Sequence, residues 1–356
     1  MLIIGCDLHT RTQQIALLDT ETGQVVERRL EHENGEAKRF YEGLKERALV
    51  GIESTGYALW FAALLAELGH ELVVGDAAKI RAMEPRKQKH DRRDAAHLLN
   101  LLVRGDFPRL WLPSVEERDV RVLLEHRHQL VELRTRAKNG LQAIALNYGL
   151  ARRTRLWTER GQAELQKLPL REGMARRRED LLRLLAQLDS WIHELDQRLK
   201  REAEEREAAR RLMTHPGVGP LTALGTVLVL GPVERFPDAR HVTSYVGLIP
   251  QEESSGGRQR FGHLTKQGNR LLRFLLVEAA QSASRLDPGL RRGYRRLAFR
   301  KGHALAKVAV ARKLLIRLYI MLREQIDYAE FCRRGPVPSG AGRGSHAGML
   351  GEVALA

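Results

Sequence analysis

The order of apolar segments in the first 75 residues constrains the fold of this chain more than any other feature of its sequence. Three runs typical of strands come first, and a helical stretch, a strand, a second helical stretch and a last strand follow. The predicted strands are residues 2–6, 13–18, 25–30, 49–52 and 71–74, and the predicted helices are residues 35–47 and 56–68. The pattern predicts a mixed α/β sheet.

This order is the layout of a ribonuclease-H-like fold, in which the first and fourth strands lie side by side and parallel. Asp7 and Glu53 directly follow those two strands, so we expect both carboxylates at the same edge of the sheet, where open α/β sheets bind ligands. The alternative is that they merely end strands, as polar residues often do. We interpret Asp76, after the next strand, as a turn residue, and Asp106 as an exposed turn.

A second pair of acids lies in the basic stretch from Arg86 to His97. Asp91 and Asp94 are three residues apart, a spacing that places both side chains on one face of a helix. The alternative is that one of them caps the apolar helix predicted over residues 95–102. Together with Asp7 and Glu53, they favour a Mg²⁺ ion held against a phosphate, since Mg²⁺ prefers hard oxygen ligands.

The charge balance indicates a polyanionic partner. The 356 residues include 60 Lys and Arg against 44 Asp and Glu, a formal net charge of +16. Aromatic residues are only 5%, which argues against a surface built mainly on base stacking. Apolar runs fall short of the roughly 20 residues that a membrane-spanning helix needs, and the start lacks a basic signal-peptide region. With only Cys6 and Cys332, we expect neither a disulfide scaffold nor a cysteine zinc site, and an intracellular location.

The middle of the chain has the heptad spacing of long helices. Pro113 and Ser114 mark a helix start, after which apolar residues recur every seven positions. In a second helix, successive apolar residues are alternately four and three positions apart. The apolar positions of the first helix are Leu123, Leu130, Ala137 and Ile144. Those of the second helix are Leu181, Leu185, Leu188, Ile192, Leu195 and Leu199. We expect an antiparallel helical arm or coiled coil that supports dimerisation, with solvated charged faces.

Two glycine-containing segments follow in the last third of the chain. The turn from Pro216 to Gly219 resembles a helix-hairpin-helix, in which Gly217 and Gly219 would let backbone amides approach a phosphate, although a purely structural turn between helices is the alternative. Residues 254–257 read Ser-Ser-Gly-Gly, and Arg258, Arg260 and Lys266 follow. Such a loop is weak evidence alone, but a serine nucleophile beside cations suits attack on a phosphate.

Seven motifs in unbroken order over about residues 1–325 resemble the insertion-sequence transposases that combine a DEDD ribonuclease-H-like (RuvC-like) domain with a C-terminal serine domain, the bridge-RNA-guided recombinases. They are Gly5-Cys6-Asp7, Ile52 to Gly56, Lys89 to Ala95, Pro216 to Gly219, Gly247 to Pro250, Ser255-Gly256 and Lys266 to Asn269. His90 stands where the family often has Thr.

The resemblance implies a composite active site. Asp7, Glu53, Asp91 and Asp94 would bind Mg²⁺, and Ser255, rather than Ser254, would form a covalent phosphoserine bond with DNA. It also implies DNA and a bridge RNA as partners, a homo-oligomer (dimer or tetramer), and a nucleoid-associated protein of the prokaryotic cytoplasm. The expected domains are an α/β ribonuclease-H-like domain (1–110), a helical arm (111–205), a mainly α serine domain (206–334) and a disordered tail (335–356).

Other functions fit parts of the pattern. A metal-only nuclease or junction resolvase would use the acids, with Ser255 merely contacting phosphate. A non-catalytic nucleic-acid-binding remnant would need neither, although all five candidate residues are present. A tyrosine recombinase using Tyr245 or Tyr294 would leave the acidic tetrad without a role.

Overall fold

The computed structural model describes residues 1–84, 91–151, 155–252 and 260–335, and these form two compact units. The units are Met1–Leu112 and Pro113–Ala356. The predicted subdivision of the second unit at residue 206 stays a prediction, and the tail expected to be disordered lies, from residue 336 onward, outside the described residues.

The first unit is a five-stranded mixed sheet with helices on both faces. Its strands are β1 (Leu2–Leu8), β2 (Thr12–Asp19), β3 (Val25–Glu31), β4 (Ala48–Glu53) and β5 (Glu71–Gly75). Its helices are α1 (Glu36–Glu42), α2 (Leu59–Glu67), α3 (Ala77–Ala82) and α4 (Asp91–Arg104). The spatial order is β3-β2-β1-β4-β5, with β1 antiparallel to β2 and parallel to β4. This sheet confirms the predicted adjacency of the first and fourth strands and is consistent with a ribonuclease-H-like fold.

Side-chain alternation divides the sheet into two apolar layers. On one face, Ile4, Cys6 and Ile52 are buried against α1 and α2. On the other face, Ile3 and Val73 pack against α3 and α4. Odd-numbered residues of β1 and β4 therefore face α4.

Three predicted helix boundaries are corrected by the structure. Helix α1 ends at Glu42 rather than residue 47, because Gly43 caps it and the chain turns toward β4. Helix α2 begins at Leu59 rather than residue 56, after a segment in which the Tyr57 hydroxyl donates to the Leu8 carbonyl. Helix α4 covers Asp91–Arg104, so it begins before the predicted start at residue 95.

The second unit begins with two long helices that pair antiparallel. Helix α5 (Val115–Asn147) starts with a capping box between Ser114 and Glu117. After the short α6 (Glu159–Gln166) comes α7 (Glu172–Glu205). Ion pairs join α5 to α7 in reversed order along the chain, and they are Asp119–Arg198, Arg127–Asp196 and Arg134–Asp189. Leu130, Leu188 and Ile192 form one of the apolar clusters between the two helices. Coiled-coil supercoiling stays a prediction.

The rest of the second unit is mainly helical. Its elements are α8 (Glu207–Met213), α9 (Pro220–Leu230), α10 (Ala239–Tyr245), β6 (Pro250–Glu252), β7 (Phe261–Leu264), α11 (Arg270–Leu286), α12 (Pro288–Lys301), α13 (His303–Arg323) and α14 (Tyr328–Arg334). Single 3₁₀ turns occur at Arg155–Trp157 and Val233–Arg235. Helices α9, α11 and α13 supply much of the buried core. Within the described ranges, every helix is too short or too polar to cross a lipid bilayer.

Candidate functional site

Asp7 and Glu53 lie together at the carboxyl ends of two parallel strands. The last paired residues of β1 and β4 are Cys6 and Ile52, and each acid is the next residue along its strand. Gly5 and Gly51, two residues before the acids, face α4. Because side chains on a strand alternate, Asp7 and Glu53 are also on the face that α4 covers. The predicted juxtaposition of these two strand ends is present.

The two carboxylates differ in environment. Asp7 is the less exposed, with 16% of its side chain accessible, and its Oδ2 lies 3.1 Å from Nε2 of His9. Glu53 is 41% accessible, and its Oε1 lies 3.9 Å from an Arg81 guanidinium nitrogen. Sequence reasoning missed both partners. The signal for His9 is its position two residues after Asp7, whereas nothing in the sequence links Arg81 to Glu53.

Helix α4 approaches the sheet closely because β1 has glycine at the crossing point. A Cβ atom at Gly5 would lie 2.3 Å from the Ala95 carbonyl oxygen and 2.3 Å from the Leu99 amide nitrogen. Asp94 is half-buried and directly precedes Ala95, so it lies next to this crossing. Asp94 lies inside the helix, which excludes the N-cap alternative for this residue.

The described acids are hard oxygen donors of the kind that hold a divalent cation. Asp7, Glu53 and Asp94 come from three elements that meet at one face of the sheet. In the part of the chain that the structure describes, no group of three or more acidic, histidine or cysteine side chains lies close enough to hold a metal ion. Asp91 begins α4, but its side chain is outside the described set. The donor chemistry fits, and the four-acid site stays a prediction.

In the second unit, two glycines form a tight junction beneath the β6–β7 hairpin. A Cβ at Gly247 would lie 2.2 Å from the Gln267 carbonyl oxygen, and one at Gly268 would lie 1.9 Å from the Tyr245 carbonyl oxygen. Both glycines have positive φ, +72° and +74°. Arg273 donates to carbonyl oxygens on both sides of the junction, those of Val246 and Gln267. The segments that flank the β6–β7 hairpin are therefore closely packed against each other.

The residues predicted to handle phosphate are only partly described. Ser254, Ser255, Gly256, Gly257 and Arg258 lie outside the described residues. Arg260, just before β7, and Lys266, just after it, are both exposed. Lys266 has a positive φ of 52°, unusual for a residue with a side chain. The roles of these residues stay predictions.

The Pro216–Gly219 turn connects α8 to α9, and its first glycine has a packing role. Gly217 has φ +89°, and a Cβ there would lie 2.4 Å from the Ala283 amide nitrogen of α11. This contact supports the structural alternative for Gly217. Gly219 is the N-cap residue of α9, where a Cβ would meet nothing within 4 Å. Phosphate binding at either glycine is untested.

Comparisons with known proteins match two separate parts of the chain. Residues 4–149 match a DEDD-type transposase model for IS110 elements, and residues 209–295 match a model described as transposase IS116/IS110/IS902 family. A probable family 20 transposase of Pseudomonas aeruginosa is 27% identical over 79% of this chain and 84% of its own length. The transposase for IS1111A of Coxiella burnetii is 31% identical over 56% of each chain. The transposase for IS1328 of Yersinia enterocolitica is 27% identical over 65% of this chain and 70% of its own.

Proposed function

We propose, on the premise that the chain belongs to the IS110/IS116 family of transposases, that it cuts and rejoins DNA as the recombinase of an insertion sequence. The observation that carries this proposal is the placement of Asp7 and Glu53 on one face at the ends of adjacent parallel strands. Two acids so placed would repel one another unless a cation or a proton lay between them.

Asp7, Glu53, Asp91 and Asp94 would hold Mg²⁺ at this edge. When bound, the ion would supply charge stabilisation for a phosphodiester that gains negative charge during cleavage. His9 would orient the Asp7 carboxylate through the contact between Nε2 and Oδ2. Arg81 would likewise restrain Glu53.

Ser255 would be the nucleophile. Its oxygen would attack phosphorus, a Ser–O–P bond would form, and the bond from phosphorus to the deoxyribose oxygen would break, with the serine proton passing to the released strand. A hydroxyl of a second DNA strand would then attack phosphorus and restore the serine. Arg258, Arg260 and Lys266 would neutralise the phosphate as charge develops. The resemblance adds a bridge RNA that pairs with both DNA sites, and assembly as a homo-oligomer.

A metal-only nuclease is the second candidate function. It shares the acids at the sheet edge but needs no covalent intermediate, so Ser255 would only contact phosphate. The two functions make opposite predictions for a covalent protein–DNA adduct.

The role of Asp7 and Glu53 in DNA cleavage can be tested by substitution, with a carboxylate that follows the neighbouring strand as the control. Asp7→Asn and Glu53→Gln should each lower cleavage of plasmid DNA carrying the element's end, in Mg²⁺ and the adjacent non-coding RNA, by about a hundredfold or more. Asp76→Asn is the control, because Asp76 follows β5 and accepts hydrogen bonds from the Ala78 and Lys79 amides as the cap of α3, which asparagine also does.

Two results would count against the acidic site. One is cleavage by Asp7→Asn at the wild-type rate. The other is a clear loss of melting temperature in Asp7→Asn without metal, since removing one of two like charges should leave stability unchanged or slightly raised.

A further inference from the structure

The positive charge of the chain is concentrated in one pair of helices. Residues 288–323, which cover α12 and α13, contain eleven lysines and arginines and no aspartate or glutamate. The whole chain has a formal net charge of +16, so this tenth of the sequence supplies most of the excess. The cations are Arg291, Arg292, Arg295, Arg296, Arg300, Lys301, Lys307, Arg312, Lys313, Arg317 and Arg323.

A cleft of about 300 Å³ opens where α11, α12 and α13 meet. Arg285 of α11, Arg291 and Arg295 of α12, and Lys307 of α13 line it. The other lining residues are uncharged, so its described walls carry four cations and no carboxylate. This composition suits an anion that several cations share.

Three arginines of α12 lack the neutralising partners found elsewhere in the same unit. On the helical arm, Arg127 pairs with Asp196 and Arg134 with Asp189. Within the described ranges, no carboxylate lies within ion-pair distance of Arg292, Arg295 or Arg296 on α12.

Positive charges are crowded where α13 packs close to α12. Burial lowers the pKa of Lys313 on α13, and the nearby guanidinium groups of Arg296 and Arg317 lower it further. Like charges that crowd together without counter-charges destabilise the folded chain, and a bound polyanion would relieve this repulsion.

We propose that the cleft between α11, α12 and α13 binds the phosphate backbone of duplex DNA. Helix α12 is about 21 Å long at 1.5 Å per residue, and its six cations are spread over 14 residues. This length matches a run of successive phosphates better than a single small anion. The identity of the polyanion as DNA rests on the proposed function, whereas the anion site rests on the cleft and its charges.

Arg295 and Lys307 are the residues to change. Arg291 donates a hydrogen bond to the Arg285 carbonyl oxygen, so its loss would disturb the junction of α11 and α12. Arg295 is exposed on α12, and Lys307 is half-buried on the facing helix. The double variant Arg295→Gln/Lys307→Gln removes two charges from opposite walls.

The experiment measures binding of the full-length protein to a fluorescent 30-base-pair duplex of arbitrary sequence, at several salt concentrations and in EDTA. The double variant should bind about tenfold more weakly at moderate salt, and the slope of log affinity against log salt should fall by about two. The control Lys38→Gln/Arg47→Gln loses the same charge from exposed positions of the first unit, where each cation already has an acidic partner.

An equal loss of DNA affinity in both double variants would overturn the proposal, because the loss would then come from the change in net charge and not from the cleft. A loss of affinity for an RNA of matching length with unchanged affinity for duplex DNA would overturn it as well. If the glutamine variant unfolds, Arg295→Lys/Lys307→Arg should fold and keep the wild-type salt slope, and a reduced slope there would contradict the proposal. Because EDTA prevents metal-dependent cleavage, binding can fail or succeed independently of catalysis.

Discussion

At the residue scale, Gly5 determines whether α4 can reach the sheet. The backbone of α4 lies where the Cβ atom of any other residue at position 5 would be. The close approach of the helix therefore requires a residue without a side chain. The approach brings the start of α4, with Asp94, over β1, which carries Asp7 near its carboxyl end. Sequence reasoning predicted Asp7 and Glu53 because acids at strand ends leave a local signal. The role of Gly5 depends on a helix some 90 residues later, which leaves no such signal.

Replacing this glycine tests the packing directly. Gly5→Ala should destabilise the first unit by about 3 kcal/mol, because the backbone of α4 cannot yield as a flexible side chain would. Gly56→Ala is the control, since a Cβ there would meet nothing within 4 Å. Chemical denaturation followed by circular dichroism gives both values. A Gly5→Ala protein as stable as the control would mean that α4 does not cross β1 at this residue.

At the scale of elements, a buried polar cluster joins four parts of the second unit. Asp287 caps α12 through the Leu290 amide and accepts hydrogen bonds from Arg317 of α13, at 2.7 Å, and from Tyr328 of α14. Nδ1 of His215, in the turn before α9, lies 3.0 Å from the Pro216 carbonyl oxygen, while Nε2 lies 3.5 Å from Arg317. A neutral ring with its proton on Nδ1 satisfies both contacts.

This cluster predicts a pH dependence of stability. Burial lowers the pKa of His215 to about 4, whereas an unfolded histidine titrates near 6.5. Between these values the unfolded chain binds a proton that the folded chain excludes, so stability falls as pH decreases from about 6.5 to about 4. The full loss is about 3 kcal/mol.

The variant His215→Asn isolates this contribution. Asparagine has no group that titrates in this range, so the variant's unfolding free energy should change less than that of wild type between pH 6.5 and 4.5. Urea titrations at several pH values measure it. Parallel curves for the two proteins would show that His215 has the same pKa in the folded and the unfolded chain, and would contradict the prediction.

Elements were predictable where periodicity is strong. Seven of the ten predicted heptad positions are buried and the other three are half-buried, because a repeated apolar stripe must face a partner helix. Helix ends were less predictable. The end of α1 depends on Gly43 and on the turn into β4, and the start of α2 depends on a loop that packs against Leu8.

At the scale of the whole molecule, the predicted acids and the densest positive charge lie in different units. The four predicted metal-binding acids lie in the first unit. Residues 288–323 of the second unit contain eleven lysines and arginines and no aspartate or glutamate. Composition predicted a polyanionic partner from the net charge alone. It could not locate the cleft, because the arm is also rich in arginine, and only the structure shows which arginines are paired with acids.

A covalent bond between Ser255 and DNA can be detected directly in a gel assay. Protein, Mg²⁺, DNA carrying the element's end and the adjacent non-coding RNA would be incubated, denatured and separated on a gel. We expect a protein–DNA adduct for wild type and for Ser254→Ala, and none for Ser255→Ala. DNA cleavage by Ser255→Ala at the wild-type rate, with no adduct in any of the proteins, would contradict the phosphoserine mechanism and favour a metal-only nuclease.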